Sequence, residues 1–253
     1  MKAVTDELKS VRDYVIEFMG MFYNSDFRLE RDMDFVSLVT KDYSFVDGTI
    51  QNSKGETIGS DKYRDYLDKV VIPYSQATGY KFEGDEYMVG ALARMNLNRD
   101  NLNAQTRKDA AEFMKVFPSK NIYHNNLAQS IEILHCIDHS LELIESNEFK
   151  EERNDPVVVK EGEGVGMLEA PRGTLYYMLS IDKDGKVRYG NIIVPTQQNQ
   201  IGMERSVVQL VEENIDMEKK QLEYEIEKLI RAYDPCMSCA SHFLRIKWNG
   251  SMR

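Results

Sequence analysis

The feature that most constrains the fold of this chain is an apolar stripe near its middle. Between about 123 and 148, apolar residues recur at steps of three and four, the spacing that places side chains on one face of a helix. The members of the stripe are Leu127, Ile131, Leu134, Ile137, Leu141 and Ile144. A long helix with a continuous apolar face must bury that face. The stripe therefore predicts a core helix, and 253 residues are enough to build a sizeable core around it.

Other segments predict helices that can pack against this core helix. Apolar residues follow a helical period over 6–23 and again over 204–231, where the predicted helix delivers the chain to Asp234. A more polar helical pattern covers 103–116. These segments favour a helix-dominated fold.

Turn residues predict small β-hairpins beside the helices. The run Lys183-Asp184-Gly185-Lys186 separates two strand-like segments, 174–182 and 187–194, and is typical of a hairpin turn. A shorter hairpin is predicted within 32–72. Residues 150–166 are charged and glycine-bearing and predict a loop. The expected fold class is therefore α+β, helix-dominated, with long core helices and small β-hairpins.

Composition argues against several classes of function. The net charge is -10 and the pI is near 5.0, whereas non-specific nucleic-acid binding requires clustered Lys and Arg. No apolar run approaches the roughly 20 residues that span a bilayer. Residues 1–7 lack the apolar stretch of a signal peptide. We expect a cytoplasmic protein with no nucleic-acid partner and no membrane span.

The strongest candidate site lies near the carboxy terminus. Cys236, Cys239 and His242 follow the spacing C-x-x-C-x-x-H. Two thiolates at this spacing can converge on one cation, and a histidine three residues later can reach the same place. Thiolates are soft donors that select zinc, copper(I), iron–sulfur clusters or nickel. The cluster offers at most three ligands, and Cys136 is the only other cysteine. A four-coordinate site must therefore borrow ligands or keep an open position.

Other interpretations of these residues stay open. The cysteines could be a buried pair of small residues, or a redox pair like that of thioredoxin, although such a pair follows an early strand and this one follows a predicted helix. His135 and His139, at i and i+4 on one helix, could bind a second metal, but the HExxH pattern with its glutamate is absent.

A second candidate is Arg172, which stands between Pro171 and Gly173. A guanidinium presented from such a restricted stretch can offer several donors to an anion or to a small ligand with lone pairs. The plainer interpretation is a surface arginine paired with one of the 42 acidic residues. The glycines upstream, at 162, 164 and 166, do not follow the G-x-G-x-x-G spacing of a phosphate loop.

Three blocks of sequence resemble the large subunits of nickel–iron hydrogenases. They are LEAPRGTLY at 168–176, NIIVPTQQN at 191–199 and IRAYDPCMSCASH at 230–242. The best resemblance is to the soluble archaeal and bacterial branch, which includes coenzyme F420-reducing, methyl-viologen-reducing and sulfhydrogenase enzymes. Residues 90–96 and 125–129 resemble the middle region of that family, so the resemblance runs over nearly the whole chain.

The resemblance implies roles for four residues of the closing block and for Arg172 in the first block. Cys236 resembles a terminal thiolate ligand of nickel, and Cys239 resembles the thiolate that bridges nickel and iron. His242 resembles the histidine that helps to hold a nearby magnesium or iron ion. Arg172 resembles the arginine poised over the open nickel–iron position, where it assists heterolytic cleavage of H2, and Asp234 resembles the carboxylate that orients this guanidinium.

The resemblance also implies a nickel–iron centre whose iron carries cyanide and carbon monoxide. Pro171 resembles a wall of the pocket around these iron ligands, and Thr196 resembles the hydroxyl that hydrogen-bonds a cyanide. The implied fold is that of a hydrogenase large subunit without its amino-terminal third. The implied domain covers 1–242, and residues 243–253 resemble a tail that a maturation protease removes. From the residues alone, that tail is equally a frayed terminus.

This sequence departs from the pattern of the family at two places. The R-x-C-x-x-C block that supplies the other two thiolates is missing, and so is the early glutamate that gates protons. Tyr177 stands at the position where, in this family, a histidine often follows the Thr-Leu-Tyr run. The implied function is therefore that of a hydrogenase fragment that needs a polypeptide with the missing block and an iron–sulfur small subunit. The alternatives are a non-catalytic scaffold or accessory protein derived from a large subunit, holding zinc or no metal, and a truncated gene product.

Overall fold

The computed structural model describes residues 2–59, 62–75, 77–240 and 246–248. The helices in this part of the chain are α1 (Lys2–Tyr23), α2 (Tyr63–Tyr66), α3 (Ala91–Asn98), α4 (Ala104–Asp109), α5 (His124–Ser146), α6 (Pro195–Glu213) and α7 (Lys219–Ala232). The predicted core helix is α5, and Leu127, Ile131 and Leu134 on its stripe are buried. Helix α5 packs mainly against α1 and α3. The main apolar core lies where α1, α3, α5, α6 and α7 meet.

The prediction of one long helix over 204–231 is wrong, because two helices cover this stretch. Helix α6 begins earlier, at Pro195, which suits the first helical position because its missing N–H would have no partner there. It ends at Glu213, where the side chain of Asn214 donates to the carbonyl oxygen of Leu210 at 2.8 Å. Glu218 then accepts from the N–H of Gln221 and begins α7. Polar caps thus end and restart a helix that the apolar period alone does not interrupt.

The polar helix predicted over 103–116 is also interrupted. It divides into α4 and a 3-10 turn at Phe113–Val116. Asn103 caps α4 by accepting from the N–H of Gln105 at 2.9 Å. Among the described residues, no helix combines the length and the apolarity that crossing a bilayer requires.

The strands form three small sheets. Strands β1 (Asp34–Val39), β2 (Thr49–Asn52), β3 (Thr57–Ile58) and β6 (Tyr87–Met88) lie in the order β3-β2-β1-β6, and β4 (Leu67–Val70) pairs with β5 (Gly79–Phe82). The third sheet is antiparallel and contains β7 (Gly162–Ala170), β8 (Gly173–Ile181) and β9 (Val187–Ile193). The hairpins predicted within 32–72 and around 183–186 are therefore present, as β2–β3 and β8–β9.

The prediction of a loop over 150–166 is wrong for its last part. Strand β7 begins at Gly162 and pairs with β8 along its whole length, down to the pair Ala170 and Gly173. The strand was not predicted because the glycines of β7 supply no side chains to an apolar pattern. Their backbone nevertheless pairs with β8. This pairing leaves only Pro171 and Arg172 in the loop, so the β7–β8 hairpin presents them at its tip.

Candidate functional site

The hairpin tip lies against the start of α3, and two glycines allow the contact. Gly173 has a φ of +135°, and a Cβ there would fall 2.4 Å from Cγ2 of Val89 and 2.9 Å from the backbone nitrogen of Gly90. Gly90 has a φ of +120°, and a Cβ there would fall 3.0 Å from the carbonyl oxygen of Arg172. Gly173 has no room for a side chain, and at Gly90 a side chain would press on the backbone of Arg172 at a positive φ. The close crossing therefore fixes the backbone of Arg172 against α3.

The side chain of Arg172 reaches the segment that follows α7. Its Nε donates to the carbonyl oxygen of Asp234 at 2.8 Å, and its Nη2 lies 3.2 Å from Oδ1 of the same residue. The other carboxylate oxygen of Asp234 accepts from Nε2 of Gln129 on α5 at 2.9 Å. Asp234 has a φ of +50°, in the left-handed region that aspartate tolerates better than most residues. The structure thus brings together the arginine and the carboxylate that the sequence singled out.

The two cysteines lie on the turn that follows Asp234. Their Cα atoms are 5.3 Å apart, and their sulfur atoms meet as a disulfide pair. The N–H groups of Cys239 and Ala240 both donate to the carbonyl oxygen of Cys236, which closes the turn. The N–H of Cys236 donates to Oγ1 of Thr196 at 3.1 Å. Thr196 is buried at the start of α6, and its hydroxyl keeps its own hydrogen as a donor.

His242, the third predicted ligand, lies outside the described residues, as does the boundary at 242. Within the described part of the chain, no group of three or more His, Cys, Asp or Glu side chains is arranged to hold a metal ion. The described residues therefore supply two converging thiols.

The alternative metal pair on α5 serves a different purpose. Nδ1 of His135 accepts from the N–H of Asn103 at 3.0 Å, and the ring of His135 stacks on that of His139 with centroids 5.6 Å apart. Burial and the neighbouring His139 lower the pKa of His135. A buried neutral imidazole that accepts a backbone N–H is a structural element linking α5 to the start of α4.

Arg94 was missed by the sequence analysis, although it holds the hairpin tip from inside. It stands on α3, is 2% exposed, and donates to the carbonyl oxygens of Ala170 and Pro171 at 3.1 and 3.0 Å. Its remaining N–H groups meet the carboxylates of Glu132 and Glu169. The available signal was a single arginine inside the otherwise apolar run Ala91-Leu92-Ala93-Arg94-Met95, where a charge requires a buried partner.

Two buried asparagines were missed as well. Asn125 accepts from the N–H of Leu92 at 3.0 Å and donates to the carbonyl oxygen of Ala232 at 2.9 Å, which ties the start of α3 to the end of α7. Asn199 pairs with both backbone groups of Val89, at 2.9 and 3.0 Å. Through these amides, the start of α3, against which the hairpin tip packs, is joined to α6 and to the end of α7, from which the chain runs on to the cysteines. Asparagine is too common on protein surfaces for its type alone to predict such a role.

An apolar groove of about 740 Å³ lies beside the site. Side chains of α1 and α5 form most of its lining, including Phe18, Phe22 and Cys136, and it extends to Pro171 and Gln129. Burial raises the pKa of the Cys136 thiol, which favours the protonated form.

The sequence matches the family described as nickel-dependent hydrogenase over residues 5–242. The chain belongs to this family. Among similar proteins, sulfhydrogenase 1 subunit alpha of Pyrococcus furiosus is 34% identical over 206 residues, which are 81% of this chain and 48% of that protein. Sulfhydrogenase 2 subunit alpha of the same organism is 31% identical over 249 residues, which are 97% of this chain and 58% of that protein.

Solved structures agree with this membership of the nickel-dependent hydrogenase family. The chain is similar to a NAD+-reducing [NiFe]-hydrogenase in the H2-reduced state, with a TM-score of 0.67 and 26% identity. The similarity covers 95% of this chain and 56% of that one. The chain therefore spans about half the length of the relatives that it matches. Family membership also confirms the predicted resemblance and the predicted helix-dominated α+β fold.

The described residues of this hydrogenase-family chain fit part of a nickel–iron centre. Two thiols converge on one turn, and soft donors of this kind suit nickel. A cation and a carboxylate, Arg172 and Asp234, stand next to that turn, and the buried hydroxyl of Thr196 touches its backbone. The two cysteines provide half of the four thiolates that the resemblance implies.

Proposed function

We propose that this chain is the carboxy-terminal part of the large subunit of a nickel–iron hydrogenase. Its activity would be the reversible conversion of H2 into two protons and two electrons, with the electrons passed to an iron–sulfur small subunit. One observation carries the proposal. In a member of the nickel-dependent hydrogenase family, Arg172, Asp234 and Thr196 all lie against the turn that bears the two cysteines.

Cys236 and Cys239 would hold the nickel–iron centre through their two thiolates. When bound, the centre supplies the site at which H2 is split and electrons are accepted. The carbonyl oxygen of Cys236 accepts both N–H groups that close the turn, and this turn holds the two sulfurs next to each other. Thiolates are the form that binds metal, so the pair must be reduced in the functional state.

Arg172 and Asp234 would orient the reacting atoms. The guanidinium of Arg172 is held at two points by Asp234, and its side chain is still 40% exposed. An arginine fixed in this way offers its remaining N–H groups to whatever binds at the open side of the turn. Asp234 is fixed in turn by Gln129, so the pair is preorganised and does not have to reorder during the reaction.

Pro171 and Thr196 would surround the diatomic ligands of iron. Pro171 has no N–H group and presents an apolar ring at the hairpin tip, which suits the wall of a pocket for cyanide and carbon monoxide. The hydroxyl of Thr196 accepts from the N–H of Cys236 and can donate its own hydrogen to a cyanide nitrogen. His242 would help to hold a magnesium or iron ion at the carboxy terminus.

The assembly would need at least two partners. One is a polypeptide with the R-x-C-x-x-C block that completes the thiolate set, and the other is the iron–sulfur small subunit. Both relatives described above are named as alpha subunits, which supports a protein that works in a complex. A cytoplasmic compartment would keep the cysteines reduced.

The domain of this large-subunit fragment would end at residue 242, and a maturation protease would remove 243–253. Part of that tail is described. Trp248 donates from its indole nitrogen to Glu223 on α7 at 2.8 Å, and the ammonium of Lys219 lies 5.4 Å from its ring.

The experiment is H2 uptake with a viologen dye, measured on the purified complex and on the chain alone. The complex with its R-x-C-x-x-C partner and small subunit should reduce the dye. The chain alone should not, and uptake by the chain alone would contradict the proposal. Arg172→Lys in the complex should lower kcat about 100-fold or more, the loss expected when a preorganised donor is removed.

A second candidate is a non-catalytic scaffold derived from a large subunit. It is favoured by a turn that brings two thiols together while, within the described part of the chain, no group of three or more potential metal ligands is found. Such a protein would hold zinc or no metal. Metal analysis of the co-purified complex separates the two candidates, since nickel with iron supports the hydrogenase and zinc alone supports the scaffold.

A further inference from the structure

We propose that Arg94 is a positioning residue that holds the tip of the β7–β8 hairpin, and with it Arg172, in the geometry that the reaction requires. The proposal rests on the function proposed above. It concerns a buried arginine that lies behind the site and makes no hydrogen bond or ion pair with the side chains of Arg172, Asp234 or the cysteines.

All five N–H groups of Arg94 are engaged. Nε donates to Oε1 of Glu132 at 2.6 Å, and Nη2 donates to Oε2 of the same residue at 2.7 Å. Nη1 donates to Oε2 of Glu169 at 2.5 Å. The two N–H groups that remain donate to the carbonyl oxygens of Ala170 and Pro171. The guanidinium is thus fixed by two carboxylates, and its last two N–H groups donate to the two residues directly before Arg172.

The carboxylates are themselves fixed, so the clamp is rigid. Glu132 also accepts from the hydroxyl of Tyr43 at 2.8 Å. Glu169 also accepts from the N–H of Leu38 and the hydroxyl of Thr174, at 2.9 and 2.6 Å. Arg94, Glu132 and Glu169 are each at most 6% exposed, so water cannot replace a lost contact.

Helix α3 holds the hairpin tip at a second point, one turn away. The N–H of Arg94 donates to the carbonyl oxygen of Gly90, and Gly90 is the residue packed against the backbone of Arg172. Gly90 and Arg94 therefore contact the tip from the same helix end, on either side of Pro171. The backbone of Arg172 cannot shift relative to α3 without breaking one of these contacts.

The geometry requires the planar fork of arginine and not only its charge. A lysine at 94 keeps a cation between Glu132 and Glu169, but it has three N–H donors on one nitrogen and cannot reach both carboxylates and both carbonyl oxygens together. Arg94→Lys is therefore a variant that keeps the charge balance and releases the tip. The matched control is Arg12→Lys, because Arg12 also joins buried or half-buried carboxylates, Asp138 and Asp109, and does not touch the hairpin.

The first test is hydrogen–deuterium exchange on the full chain, which needs no bound centre. Losing the two hydrogen bonds to Ala170 and Pro171 should speed exchange across 167–175 by about tenfold in Arg94→Lys. Arg12→Lys should leave that segment unchanged while loosening α1 and α5. Unchanged exchange at 167–175 in a folded Arg94→Lys chain would overturn the proposal.

Glu132→Gln is the fallback if Arg94→Lys does not fold. It removes the paired anion that anchors the guanidinium and leaves both carbonyl acceptors in place. It should speed exchange across 167–175 by a smaller factor, roughly threefold, since one charge-assisted pair is weakened and no donor is lost. No change in that variant would also overturn the proposal.

The second test is a double-mutant cycle in the assembled complex, with kcat and KM for H2 as readouts. If Arg94 acts through Arg172, then Arg94→Lys should lower kcat about tenfold with KM unchanged, because a small misplacement of a catalytic group acts on the chemical step. In an Arg172→Lys background the same substitution should lower kcat less than about twofold. Equal factors in both backgrounds would mean a general structural effect and would overturn the proposal. A wild-type complex without activity would instead refute the proposed function, while the exchange experiment would still decide the role of Arg94.

Discussion

Two arginines meet at one hairpin tip: Arg94 holds the tip from inside and Arg172 is presented by it, and the two side chains differ in burial and in partners. Arg94 is 2% exposed and every one of its N–H groups has a partner. Arg172 is 40% exposed, uses Nε and Nη2 on Asp234 and, among the described residues, leaves Nη1 uncommitted. The difference indicates a division of labour. A buried guanidinium whose N–H groups are all used can only hold its neighbours in place. A guanidinium beside two cysteines that keeps N–H groups without a partner among the described residues can still donate to a ligand.

The electrostatics follow the same division. Burial disfavours the charged form of Arg94, but the carboxylates of Glu132 and Glu169 outweigh burial and raise its pKa well above the ordinary value for arginine. Burial also raises the pKa of Glu169, even though Arg94 opposes that shift. Each of these charges thus depends on the others, and removal of one leaves the rest buried without compensation.

The largest loss of stability should come from removing the charge of the buried arginine, Arg94. Arg94→Met leaves two buried carboxylates without their cation and should lower the free energy of unfolding by about 3–5 kcal/mol. Arg172→Met should change it by less than about 1 kcal/mol, since exposed ion pairs contribute little. Urea denaturation of the full chain measures both. Equal losses would show that the two arginines do not differ in the way described.

A somewhat smaller effect should come from the glycine crossing behind the tip. Gly173→Ala adds a Cβ 2.4 Å from the side chain of Val89 at a φ of +135°. It should lower the free energy of unfolding by about 2–5 kcal/mol, combining overpacking with left-handed backbone strain. Gly84→Ala is the matched control, because Gly84 has a φ of +84° and nothing within 4 Å of an added Cβ. Its loss should be only about 1–2 kcal/mol. Similar losses in the two variants would argue against a tight crossing.

The smallest effect concerns another buried group, His135, and it depends on pH. Because burial lowers its pKa in the folded state, His135 is neutral when folded and charges more readily when unfolded. Its contribution to stability is therefore present above the unfolded pKa of about 6.5 and is lost as the pH falls through the lower folded pKa. Wild-type stability should decline between pH 7 and pH 5.

His135→Gln should decline less over that range, since the amide oxygen can still accept from Asn103 but does not titrate. Denaturant unfolding at a series of pH values gives both slopes. Part of the slope should persist in the variant, because burial also lowers the pKa of His124. If the free energy of unfolding of the variant changes with pH as steeply as that of wild type, His135 does not contribute to this pH dependence.

The sequence predicted the helical core and the paired cysteines, because both depend on local spacing. The apolar stripe of α5 and the run from Tyr233 to Cys239 are each recognised from a short stretch of sequence. Arg172 stood out from its place between Pro171 and Gly173, whereas its pairing with Asp234 came from the family resemblance, and the structure places the two in contact across 62 positions of sequence. Their roles, and those of Pro171, Thr196 and the cysteines, stay predictions.

The contacts that hold the site together could not be predicted, because they join residues far apart in the chain. The sequence around Arg94 does not indicate that its partners are Glu132 and Glu169. The sequence around Asn125 does not indicate that it bonds Leu92 and Ala232. The break between α6 and α7 was missed for a different reason, since polar capping by Asn214 overrides an apolar period that continues through it. His242, which is predicted to be a metal ligand, lies outside the described residues, so its role stays a prediction.

The most direct test of the central claim is the metal content of the purified complex, measured on wild type, Cys239→Ser and His139→Ala. We expect nickel and iron together in wild type and in His139→Ala, and loss of nickel in Cys239→Ser, which removes a soft thiolate donor. Zinc alone in wild type, or nickel that survives Cys239→Ser and disappears in His139→Ala, would contradict it.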